Sequence, residues 1–62
     1  MMYTTQTQAV QQIEATLKNA GLDHSNYDVL TIADEYHQEN NNYDNIDQNT
    51  EMVLTIAEDH VL

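Results

Sequence analysis

Eleven carboxylates accompany one cationic side chain, Lys18, in this 62-residue chain, for a formal charge of −10 at pH 7. Carboxylates at such density can bind cations, do acid–base work or stand in for phosphates, and their spacing separates these uses. An EF-hand loop needs oxygen ligands at its first, third and fifth positions, Gly at the sixth and Glu at the twelfth. Counted from Asp44, the third position is Ile46 and the sixth is Asn49, so the calcium motif fails. His24, His37 and His60 lack the His-x-x-x-His and His-Glu-x-x-His spacings that put two imidazoles on one helix face. No metal or other cofactor is expected. No serine has a His and an acid at a recognisable spacing, and neither a Gly-rich phosphate loop nor a cysteine is present. The chain reads as non-enzymatic.

With one basic residue the protein cannot neutralise a row of phosphates, so direct binding to nucleic acid or to an anionic membrane is not expected. A charge-driven partner should itself be basic. Because the acids have almost nothing to pair with, their mutual repulsion weighs on a small fold, and something other than stability favours them. Solubility is one explanation. The other is a display of negative charge that imitates a nucleic-acid backbone and occupies a basic groove, where charge also speeds encounter. Side chains three or four apart on a helix lie roughly 5–6 Å from one another, on the scale of the about 3.4 Å step between phosphates along a strand. Asp34, Glu35 and Glu39, then Glu58 and Asp59, form two such short rows, with Asp44 and Asp47 extending them on the connecting loop. Tyr27 and Leu54 are the expected apolar anchors on this partner-binding surface, and Leu62 is read as outward-facing beside Leu54.

These residues need elements to position them. Val10, Ile13, Leu17 and Ala20 recur at helical spacing, with Thr5 and Gln8 as a capping box and Gly21 as a terminator. This predicts a first helix over about 5–20. Ser25 and Asp28 form a second capping pattern ahead of Val29, Ile32, Ala33 and Tyr36, predicting a helix over 26–38 with Tyr36 in the core and Tyr27 toward the acidic side. Residues 39–48 are rich in Asn and Asp and read as a loop pinned by Tyr43 and Ile46. Met52, Val53, Ile56, Ala57 and His60 then share a face, predicting a third helix over 50–61. The β-branched runs 29–32 and 53–56 admit a strand reading as well, which the caps and the Ala-acid-acid continuations outweigh. The fold class is all-α, a small three-helix bundle, in a single domain over 1–62.

One string is used twice. Val29-Leu30-Thr31-Ile32-Ala33-Asp34-Glu35 recurs as Val53-Leu54-Thr55-Ile56-Ala57-Glu58-Asp59, with a His after each copy. Two units are too few for a solenoid, and the repeat reads either as one solution to an acidic amphipathic helix used twice or as a duplicated recognition surface.

No apolar run approaches the ~20 residues of a membrane span, and residues 1–5 lack the basic and apolar regions of a signal peptide. In size and charge the whole chain looks like the small acidic proteins with which phages and plasmids disable host defence, the nucleic-acid-mimicking inhibitors that include many anti-CRISPR proteins. The stretches 20–23, 27–29 and 32–35 also resemble small helical proteins of mobile elements. The resemblance implies an inhibitor acting in the host bacterial cytoplasm on a basic host protein, such as a CRISPR effector or another nucleic-acid-processing enzyme, by blocking DNA or guide RNA. Two alternatives stand beside it. One is a homodimeric or partner-capping module of antitoxin-like or regulatory type; in the other, the acids confer only solubility and the Gln-rich first helix does the binding.

Overall fold

The computed structural model describes residues 5–62; residues 1–4, most of the stretch read against a signal peptide, lie outside them. Three helices, α1 (Gln6–Asn19), α2 (Val29–Asn40) and α3 (Thr50–Glu58), pack on one another, with a short 3-10 turn at His24–Asn26. The three-helix bundle is therefore as expected, and both β-branched runs are helical.

Local chemistry sets each boundary. At the start of α1 the Thr5 hydroxyl accepts the Gln8 amide at 3.2 Å. At its end Gly21 sits at φ 80, and the Leu22 and Gly21 amides donate back to the Leu17 and Lys18 carbonyls at 2.9 and 3.0 Å. This paired closure needs the left-handed conformation that glycine adopts without strain. Ala20, expected on the buried stripe, is exposed because it is already the C-cap; Ala9 and Thr16 complete the stripe with Ile13 and Leu17.

The second helix starts three residues later than predicted. Asp23 takes the Ser25 amide and hydroxyl at 3.0 and 2.7 Å, which closes the 3-10 turn and diverts Ser25 from any cap. Tyr27 is extended, and Asp28 becomes the N-cap, accepting the Thr31 amide at 3.4 Å and the Thr31 hydroxyl at 2.8 Å. α2 also runs two residues past the predicted end, until Asn41 adopts the left-handed conformation at φ 62, which asparagine tolerates better than most residues.

In the loop after α2, Ile46 is fully buried and Tyr43 half-buried, its ring 4.7 Å from that of His37 in an edge-on arrangement. Tyr36 anchors this loop from the core: its hydroxyl donates to the Asp44 carbonyl at 2.8 Å and accepts from Asn49 Nδ2 at 2.9 Å. Asn49, the N-cap position of α3, thus makes no side-chain cap. α3 ends at Glu58 rather than near 61, because the chain turns at Asp59 and His60 and becomes extended at Val61. There the Asp28 amide donates to the His60 carbonyl at 2.9 Å and the Leu62 amide to the Asn26 carbonyl at 2.8 Å, a single antiparallel bridge between Tyr27 and Val61.

The core consists of Ala9, Ile13, Leu17, Ile32, Ala33, Tyr36, Ile46, Val53, Ile56 and Ala57. Burying a large aliphatic or aromatic side chain contributes about 1.5–3 kcal/mol, and no described buried side-chain nitrogen or oxygen lacks a hydrogen-bond partner. The core carries no charge, so every carboxylate is left to the surface or the rim.

Candidate partner-binding surface

The central acids of α2 are tied to different neighbours. Asp34 is exposed and its Oδ1 accepts from Gln6 Nε2 of α1 at 2.8 Å. Glu35 is half-buried, with Oε1 3.1 Å from Nε2 of His60 beyond the end of α3. A helical repeat of 100° per residue explains this split, since Asp34 and Glu35 flank the side opposite Ile32, Ala33 and Tyr36. Glu39 is exposed in the last turn of α2, and Glu58 and Asp59 are exposed at the last residue and C-cap of α3. Through His60, which follows Glu58 and Asp59 in the chain, Glu35 is brought beside the end of α3.

Asp44 and Asp47 are both half-buried. The Asp44 peptide is held on both sides, its amide donating to Asn42 Oδ1 at 3.0 Å and its carbonyl accepting from Tyr36. Asp47 instead lines a cleft of about 190 Å³ with Gln12, Thr16, Asn19, Ala20 and Thr50, against the second half of α1 and the start of α3.

Both expected apolar anchors are also placed differently. Tyr27 precedes α2 in extended backbone, half-buried and packed on the core, instead of projecting from the helix. Leu54 is half-buried against the core rather than outward-facing, because it lies beside Ala57 and Val53 on the α3 wheel. Leu62, expected beside it, lies past the helix end. Among the described residues the exposed large apolar ones are Leu22, Leu30, Val61 and Leu62. Leu30 was legible as one helical turn before Asp34; the exposure of Val61 depends on where α3 stops.

Among the described residues the ion pairs are carboxylate–histidine contacts, Glu35 with His60 and Glu14 Oε2 with His24 Nδ1 at 3.5 Å, each ionic only with the imidazole protonated. Asp23 is held below the usual Asp range by the Ser25 hydroxyl and amide, with His24 adding a smaller pull. A carboxyl depressed by folding stabilises the native state above its unfolded pKa, and the gain disappears as acid protonates it in the fold. The turn ahead of α2 is therefore at full strength at neutral pH. No described group of three or more His, Asp or Glu side chains could hold a metal ion, and no described helix is long and apolar enough to cross a membrane.

Helix dipoles sharpen the charge argument. A carboxylate in the last turn of a helix faces the negative end of the dipole, which disfavours it by about 0.3–1 kcal/mol at low salt. Glu39, Glu58 and Asp59 occupy such positions, and the last turn of α3 contains no basic residue. α1 shows the opposite arrangement, with Lys18 in its last turn. Comparison with protein families, curated proteins and solved structures finds no match to this chain.

Proposed function

We propose that this protein is a non-enzymatic inhibitor, acting in a bacterial cytoplasm, that presents its acidic surface to the basic nucleic-acid-binding site of a nuclease complex such as a CRISPR effector and excludes DNA or guide RNA. The observation that carries this reading is the placement of Glu39, Glu58 and Asp59 at helix C-terminal ends, exposed and without cationic partners among the described residues. Carboxylates there lower stability, which supports a role for them in contact with a partner. With Asp34 and Glu35 they offer a partner negative charge on a fixed helical frame. A basic groove would recognise that charge at long range and bind it with a steep salt dependence.

The test is a triple reversal, Asp34, Glu35 and Glu39 to Lys, assayed by titration against nuclease complexes identified by pull-down from a bacterial lysate at low and moderate salt. Binding should fall sharply and its residual salt dependence should flatten. Undiminished binding and inhibition by the folded triple variant would refute the surface.

A further inference from the structure

The antiparallel bridge between residues 26–28 and 60–62 leaves one of its two edges open. Its inward hydrogen bonds run from Asp28 to His60 and from Leu62 to Asn26. In an antiparallel register that pattern turns the peptide groups of the intervening residue to the opposite edge. Tyr27 is satisfied there: its amide donates to the His24 carbonyl and its carbonyl accepts the Val29 amide, at 3.1 and 3.0 Å. The Val61 amide and carbonyl have no hydrogen bond among the described residues. Val61 and Leu62 are also 59% and 78% exposed. An outward donor and acceptor beside two exposed apolar side chains are the elements by which a sheet edge takes up another strand.

We infer that this edge receives an extended basic segment of the partner, which pairs its main chain with Val61, packs apolar side chains on Val61 and Leu62 and sets cationic ones against Asp59 and Glu58. The assignment rests on the acidic-inhibitor reading and specifies how its partner is engaged. Charge complementarity selects the occupant. A second copy would bring a formal charge of −10 against an edge that directly follows Glu58 and Asp59, whereas a lysine-bearing strand is attracted by the same carboxylates. The edge supplies directional hydrogen bonds and the carboxylates supply encounter and orientation.

The experiment uses the isotopically labelled full chain and two synthetic probes: a short peptide of alternating Lys and Val, and the same peptide methylated at every amide nitrogen. Methylation keeps the side chains and charge, removes the donors and bars edge pairing sterically. The unmodified peptide should bind at least about tenfold more tightly, in keeping with the loss of one or two hydrogen bonds. It should shift the His60, Val61 and Leu62 amide resonances and slow exchange of the Val61 amide. Equal affinity of both peptides, with shifts centred on Asp34, Glu39 and Glu58, would overturn edge pairing while leaving the acidic-surface reading intact. Absence of binding by either peptide at low salt would count against both. Sedimentation showing a dimer that protects Val61 would assign the edge to a second copy and overturn the basic occupant.

Discussion

Residues 29–35 and 53–59 have the same Val-Leu-Thr-Ile-Ala sequence and two closing acids, yet they occupy different places in their helices. The first copy opens α2 directly after its Asp28 cap, whereas the second closes α3, whose first turn it follows. The Ile-Ala pair is buried in both. Around that pair the copies diverge. Val29 is half-buried and Leu30 is 59% exposed, while Val53 is fully buried and Leu54 half-buried. Thr31 turns its hydroxyl to the Asp28 carboxylate at 2.8 Å, and Thr55 donates back along its own helix to the Glu51 carbonyl at 2.9 Å. Asp34 and Glu35 lie mid-helix and are tied to Gln6 and His60, but Glu58 and Asp59 sit against the negative end of a dipole. An identical string thus specifies an identical buried pair and leaves the roles of its other residues to their surroundings.

Removing the shared pair gives the largest effect. Ile32→Ala and Ile56→Ala should each cost about 2–5 kcal/mol in urea or thermal unfolding, and by similar amounts; a large inequality would break the equivalence of the two copies. The valines should separate them. Val53→Ala should cost about 2 kcal/mol and Val29→Ala about 1, with equal losses arguing against the difference in burial. A smaller contrast is expected at the threonines: Thr31→Val removes a hydrogen bond to a charged cap and should cost about 1 kcal/mol, whereas Thr55→Val should change stability by under about 0.5. The smallest effect has the opposite sign. Glu58→Gln and Asp59→Asn should each raise stability by about 0.3 kcal/mol at low salt, fading as salt is added, while Asp34→Asn should give no such gain. Unchanged or reduced stability in the α3 variants would remove the observation on which the inhibitor reading rests.

Much of the fold was legible because short-range signals were mutually consistent. Thr5 and Gly21 bracket α1 by capping chemistry that acts within a few residues, and Tyr36, Ile32, Ile56 and Ile46 fall on faces or in a loop where burial is the only economical outcome. The start of α2 was misread because two overlapping caps compete. Ser25 can cap a helix or complete a turn, and the carboxylate of Asp23 draws it into the turn. Once that happens, residues 26–28 are free to pair with 60–62, which shifts Tyr27 from a helix face to extended backbone. Asp47 could not be placed from its neighbours in sequence, since the cleft it lines is made with α1, far away along the chain.

The sequence alone determined three helices, an uncharged core and a surface dominated by carboxylates, because helical periodicity, capping and net charge are properties of neighbouring residues or of composition. Only the tertiary structure decided which acids pair, which leucines are exposed and where a strand edge stays open. Those outcomes depend on contacts between segments distant in the chain, Glu35 with His60, Asp34 with Gln6 and Tyr27 with Val61. Such contacts are fixed by the mutual packing of the helices, which no local signal encodes.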